Sequence, residues 1–246
     1  LSTSWPQGYG LIALDQTDST MAEATRRASD IAGPTWIMAR HQTASHGRRG
    51  RAWSHPKGNF AATLVLRPTE PPHVVALRSF VAALALFDSF AALTGRPEAF
   101  ALKWPNDVLM HGGKLAGILL ESSGAQGRLD MLAIGIGVNL VEAPEPAALE
   151  PGAVAPVALG GEISQDDFLT ELAHHYAAWE TRFATYGFAP VRDAWLARAA
   201  RLGEVITARM PAREVTGTFE DVDMDGNLIL RTAKGVEVIP AADVYF

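Results

Sequence analysis

Lys103-Trp104-Pro105-Asn106-Asp107-Val108-Leu109-Met110-His111-Gly112-Gly113-Lys114-Leu115-Ala116-Gly117-Ile118-Leu119-Leu120-Glu121 reads as two extended runs joined by a turn. A strand over residues 99–104 leads into Pro-Asn-Asp, and residues 108–110 continue extended. His111-Gly112-Gly113 has the composition of a hairpin turn. Residues 114–121 return as a strand and residues 129–140 supply another. Gly117 inside a strand marks either a close approach of another group to the backbone or a bulge.

The pattern extends outward on both sides. Residues 10–14, 35–42 and 60–66 read as strands, the last apolar and partly β-branched. Thr20 with Glu23 matches a capping box and predicts a helix to about residue 31. Pro71-Pro72 precedes a long, almost wholly apolar helix over residues 73–94, ended by Gly95 and Pro97. Residues 141–162, rich in Pro, Ala and Gly, read as a loop. Helices follow over 164–186 and 190–201. From residue 203 short strands alternate with turns such as Asp223-Met224-Asp225-Gly226-Asn227, as in a small β-barrel. The boundary falls near residue 202, giving units 1–202 and 203–246.

Bulk properties narrow the function. With 246 residues, 48% of them hydrophobic, the chain can bury a substantial core. It has no cysteine, so thiolate nucleophiles, thiolate metal sites and disulfides are excluded, and a reducing cytoplasm is the expected setting. There is no signal-peptide pattern and no run of about 18 uninterrupted apolar residues, so no membrane role is expected. A net charge of -6 argues against general nucleic-acid binding.

Against that acidic background, residues 31–69 contain no Asp or Glu, and their centre is Ser45-His46-Gly47-Arg48-Arg49-Gly50-Arg51-Ala52-Trp53. Glycines let backbone approach a ligand, and guanidinium forks suit phosphate or carboxylate. Trp53 offers a flat face to a ring, and Arg49 is the arginine best suited to a structural role. In the Lys103–Asp107 run, Asp107 could hold Mg²⁺ or act as a base, Asn106 could bond a ligand, or the segment could be simply a turn. Lys114, after two glycines, could neutralise charge between a carboxylate and a phosphate, or protect a strand edge. Gly135-Ile136-Gly137-Val138-Asn139 lacks the third glycine of a dinucleotide fingerprint, and Gly112-Gly113-Lys114 does not complete a P-loop. Asn139 could read an adenine edge or serve a turn. Ser19 and Thr20 suit helix capping, which is compatible with facing a ligand. His174 and His175 have no partners at metal spacing and read as surface or packing residues.

In this order, Ser19-Thr20, the Gly47–Trp53 loop, Lys103–Asp107, Lys114–Glu121 and Gly135–Asn139 resemble the biotin protein ligase family over nearly the whole chain. The resemblance implies an α+β fold: a mixed sheet backed by helices, class II synthetase-like, with a small SH3-like C-terminal domain. It implies that Ser19, Thr20, Gln42, Arg48 and the Gly117 backbone contact biotin. Arg51 and Lys114 would hold the adenylate phosphate, and Trp53 and Asn139 would lie near adenine. Ser45, His46, Gly47 and Asn106 complete the binding set. Asp107, Lys114 and Arg48 would stand closest to the chemistry, with Asp107 the Mg²⁺ candidate. The implied reaction makes biotinyl-5′-AMP from biotin and ATP, then transfers biotin to one lysine of a biotin carboxyl carrier protein. A homodimer is a further implication.

Two departures stand out. Met21 occupies a position where the family usually has Asn, and His46 one where it usually has Arg. The second exchanges a permanent cation for a group titrating near ~6.5, so ligand retention is expected to be weaker or more pH-dependent. Some relatives carry an N-terminal DNA-binding domain. Only a few residues precede Gly10 here, so an enzyme-only short form is expected. The nearest rival is a lipoate- or octanoate-type protein ligase; a nucleic-acid-binding module is the more distant one.

Overall fold

The computed structural model describes residues 4–125, 128–145, 154–161 and 163–246. Part of the loop expected over residues 141–162 therefore lies outside the described residues. The chain runs β1 (Gly10–Thr17), α1 (Thr20–Arg26), β2 (Thr35–Gln42) and β3 (Phe60–Leu66). α2 (Pro72–Ala76), α3 (Arg78–Thr94), β4 (Phe100–Lys103) and β5 (Asp107–Met110) follow. Then come β6 (Gly113–Ala125), β7 (Arg128–Val138), α4 (Gln165–Tyr186) and α5 (Ala189–Leu196). The sheet order is β1-β2-β3-β7-β6-β5-β4. β1 and β2 are parallel, joined across α1, and every other neighbouring pair is antiparallel. The sheet is mixed, as the resemblance implied.

The two faces of this sheet do different work. Alternate residues of β2 and β7 (Trp36 and Met38; Leu132, Ile134, Ile136 and Val138) join the main core under α3 and α4. The residues between them (Ile37; Met131 and Ala133) join a smaller cluster with Met21 and Ala24 of α1. Further along β7 the second face carries only Gly135 and Gly137. That face is therefore filled at one end and hollow at the other. On the filled face, aromatic rings lock helix to sheet: Phe168 lies 4.8 Å from Phe60 and 5.3 Å from Phe90. The 72–94 segment is apolar enough to span a bilayer, but 72% of its most apolar window is buried inside the fold, which explains its composition as that of a core helix pair.

Several elements differ from the expectations. α1 stops at Arg26, and its cap is Ser19, whose Oγ accepts the Met21 N–H at 3.2 Å. The Thr20/Glu23 capping box does not form. Thr20 turns inward to Gln42 and Thr63, while Glu23 pairs with Arg26 and Arg27. The single helix expected over 73–94 divides at Leu77. α5 ends at Leu196 because the chain beyond it joins the sheet: Leu102 N–H donates to Arg198 O and Ala200 N–H to Leu102 O, each at 2.8 Å. The hairpin turn forms as expected, with His111 (φ 49°) and Gly112 (φ 80°) both left-handed.

The C-terminal unit comprises β8 (Val205–Arg209), β9 (Glu214–Val222), β10 (Leu228–Thr232), β11 (Gly235–Ile239) and β12 (Asp243–Tyr245). Its antiparallel order is β11-β10-β9-β8-β12. Among the described residues no pairing joins β11 to β12, so by hydrogen bonding it is an open five-stranded sheet where a barrel was expected. It shares the main core: Phe219 packs 6.5 Å from Trp195, and Trp104 Nε1 donates to Gly226 O at 3.0 Å. This docking brings β12 against the hollow face.

Candidate active site

The hollow is a cavity of about 850 Å³. Its floor is made by strand glycines. Gly117 of β6 pairs with Gly137 of β7, and the missing side chains leave room for rings and a thioether. A Cβ on Gly137 would stand 2.6 Å from Nε1 and Cε2 of Trp53, and one on Gly135 would stand 2.7 Å from Met21 Sδ. The close approach signalled by Gly117 is that of Trp53, whose Cζ3 would lie 3.1 Å from a Cβ there.

One wall is polar and neutral. Gln42, at the end of β2, takes two hydrogen bonds on Oε1, from the Thr20 N–H at 2.7 Å and the Thr20 hydroxyl at 3.1 Å. Thr63 Oγ1 donates to Thr20 Oγ1 at 2.8 Å. Ser19, Thr20 and Gln42 are all buried. Fixed dipoles without formal charge suit a neutral polar group flanked by apolar surface, here Met21 and Leu119.

The arginine loop forms a second wall. Gly47 N–H donates to Arg51 O at 2.7 Å and Ser45 Oγ to Trp53 O at 2.7 Å, folding residues 45–53 into a closed turn. Arg49 takes the left-handed φ of 57°. Three guanidiniums converge on one carboxylate of the C-terminal sheet. Asp243 lies 3.4 Å from Arg48, 2.7 Å from Arg49 and 3.0 Å from Arg51. Arg48 also makes loose 3.4 Å contacts to Asn106 Oδ1 and Ala242 O. Burial pushes the Arg48 guanidinium below its ordinary range, while Asp243 and Asp107 support its charge. His46 Nε2 stands 3.2 Å from Glu121 Oε1.

A third cluster lies where β5 and β6 pair. Lys114 Nζ is 2.7 Å from Asp107 Oδ1 and 5.4 Å from the centre of the Trp53 ring. Lys103 Nζ is 3.7 Å from Asp107 Oδ2 and lies over Phe246. Burial pushes the Lys103 ammonium below its ordinary value, and Asp107 counters it. Asp107 is thus the counter-ion of two amines. The described residues hold no cluster of three or more His, Asp or Glu. A lone carboxylate between two amines would hold Mg²⁺ only together with the phosphates of a bound nucleotide. Cations outnumber the paired carboxylates across the loop and this cluster, so the cavity favours anions.

Asn139 acts partly as a clamp. Its Nδ2 donates to Val157 O at 3.1 Å and its backbone carbonyl accepts Leu159 N–H at 2.8 Å, drawing residues 155–159 across the ends of β6 and β7. Its Oδ1 is buried without a partner, an acceptor left available at the cavity wall. Every residue singled out from the sequence for binding or catalysis lines this cavity. Lys103 and Asp243 were not singled out, nor was Met21 as a packing residue. His174 and His175 lie away from it on α4.

The sequence matches the biotin/lipoate A/B protein ligase family over residues 12–139 and the biotin protein ligase C-terminal domain over residues 202–246. A biotin–[acetyl-CoA-carboxylase] ligase from Paracoccus denitrificans is 53% identical across 95% of this chain and 99% of its own length. The chain belongs to the biotin protein ligase family. The ligase of the same name from Mycobacterium tuberculosis is 33% identical over 96% of this chain and 90% of its own. The fold is similar to that of the Aquifex aeolicus biotin protein ligase in complex with biotin and ATP (TM-score 0.81, 24% identity, 96% of this chain and 97% of that one).

In this biotin protein ligase family member, Asp243 ties the arginine loop to the C-terminal sheet. Asp243→Ala is expected to speed tryptic cleavage after Arg48, Arg49 or Arg51 on the order of fivefold, if the partly exposed pairs together contribute roughly 1 kcal/mol. Gel densitometry over a digestion course measures it, and an unchanged rate would show that the loop holds without this carboxylate.

Proposed function

We propose that this chain is an ATP-dependent biotin–protein ligase that forms biotinyl-5′-AMP and passes biotin to a lysine of a biotin carboxyl carrier protein. The observation that carries it is the joining, in one cavity over a glycine floor, of a neutral polar wall and a cationic cluster. A ureido ring and aliphatic chain suit Ser19, Thr20, Gln42 and the Met21 surface. The biotin carboxylate and the α-phosphate are both anions, so adenylation needs charge neutralised and atoms aligned rather than a base. Arg48, Arg51 and Lys114 supply that. The partnerless Oδ1 of Asn139 suits the amino group of adenine, and Trp53 covers the nucleotide. Mg²⁺ enters with ATP as part of the substrate. In the second step the acceptor amine, with an ordinary pKa near ~10.4, must lose a proton. Asp107, already placed between two amines, is the group suited to receive and orient a third. The expected setting is the cytoplasm. A homodimer through the sheets is what the family suggests, and β1, an edge strand with Leu11 exposed, is a surface that such a contact could use.

ATP–pyrophosphate exchange with biotin, with lipoate and with no acid tests the reading without an acceptor protein. Exchange with biotin alone is expected. Exchange with lipoate alone would move the chain to the lipoate branch of its family, and no exchange with either acid would refute adenylation.

A further inference from the structure

The polar wall of the cavity is held from behind by a buried histidine that the reaction above does not use. His55 is 7% exposed. Its Nδ1 accepts the backbone N–H of Gln42 at 3.0 Å, and its Nε2 lies 2.8 Å from the Asn59 carbonyl oxygen. A carbonyl only accepts, so Nε2 carries the hydrogen and Nδ1 keeps its lone pair. These bonds require the neutral ring in one tautomer. A second proton would face the Gln42 N–H, donor against donor.

Both ends of this relay reach the cavity. Gln42 is the acceptor that fixes Thr20. Asn59, on the other side, takes Val141 and Glu142 N–H groups on Oδ1 at 2.9 and 3.1 Å and donates to Glu142 O at 2.7 Å. Pro144 and Glu145, just beyond, line the cavity. The Asn59 carbonyl also accepts Gln165 Nε2 of α4 at 2.5 Å.

We propose that His55 is a positioning residue whose neutral imidazole holds Gln42 and the 141–145 segment in place for the acid substrate, and whose protonation releases both. The inference rests on the reading of this wall as the biotin site. Burial pushes the ring below its ordinary value; the bond to Asn59 acts the other way, and His41 opposes protonation further. The His41 ring stacks on it with centroids 6.0 Å apart. Other charged side chains on the surrounding elements include Arg40, Lys57, Glu142, Glu145, Asp166, Asp167 and Glu171, of which Arg40 and Asp166 pair with each other at 2.8 Å and Glu171 pairs with His175 at 3.1 Å. With a depressed value in the folded state, the His55 contribution is complete above the unfolded value of ~6.5 and is lost as pH falls below it toward the lower folded-state value.

Calorimetric biotin binding by the full chain, from about pH 7.5 to about pH 5, tests this. The wild-type Kd is expected to rise roughly threefold to tenfold over the range, as for one proton excluded by the ligand. His55→Ala should weaken binding on the order of tenfold at the upper pH, the cost of stranding buried partners. His55→Gln can accept and donate as the ring does, and it does not titrate. It should bind like wild type at the upper pH and show a flat profile. His55→Gln following the wild-type curve would overturn the proposal even if the alanine variant failed to fold. So would wild-type affinity in His55→Ala, or a curve flattened by His46→Ala instead. No biotin binding by the wild type at any pH would bring down the substrate reading and this inference together.

Discussion

Lys114→Ala is expected to lose on the order of 10²–10³ in adenylation, the scale seen when one positioned electrostatic donor is removed. The structure explains why nothing nearby would substitute. The Lys114 backbone is held on both sides, its N–H donating to Ala155 O at 2.8 Å and its carbonyl accepting Val157 N–H at 2.9 Å. The ammonium is thereby delivered to one place, against Asp107 and above the Trp53 ring. Lys103 cannot take over, because its own ammonium is buried at 3.7 Å from the far oxygen of the same carboxylate. Arg48 is loosely held but is already shared between Asp243 and Asn106. Pyrophosphate exchange gives the readout, with a melting curve to confirm folding. A loss below about fivefold would remove Lys114 from the chemistry.

The sequence was legible where local chemistry decides structure. β2 and β3 fall on the expected residues because Gly33-Pro34 and Gly58-Asn59 mark their starts and their apolar runs end sharply. Helix ends were less legible. Glu23 had two possible partners, a cap and the arginines below it, and only tertiary placement of Thr20 shows which applies. α5 ended early because its continuation hydrogen-bonds Leu102, nearly 100 residues away in sequence. The same limit applies to the site. The arginine loop announced itself by an acid-free stretch, but its counter-ion Asp243 lies 194 residues beyond Arg49. His55 gave no signal, because its partners are backbone groups brought to it by folding.

Gly137→Ala should be the most damaging of the small substitutions, and it separates site from fold. Gly137 lies in an extended strand, between Ala61 and Gly117. Its backbone is one that alanine adopts readily, so the sheet should survive. What the methyl meets is Trp53, at 2.6 Å from Nε1 and Cε2, well inside contact distance. Neither atom is the flexible tip of a chain, so the whole ring must move, and the loop that carries it must move too. A displacement of about 1 Å in a positioning group costs on the order of 10² in rate. The expected result is a loss of that size in exchange, with faster leakage of biotin and AMP from the preformed adenylate when no acceptor is present. Gly33→Ala is the control, since a Cβ there meets nothing within 4 Å. The decisive comparison is the double variant with Trp53→Ala. If the methyl acts through the ring, its effect should largely vanish once the ring is gone, because contacting residues are non-additive. If the two losses simply multiply, the glycine floor serves the ligand directly and acts independently of Trp53.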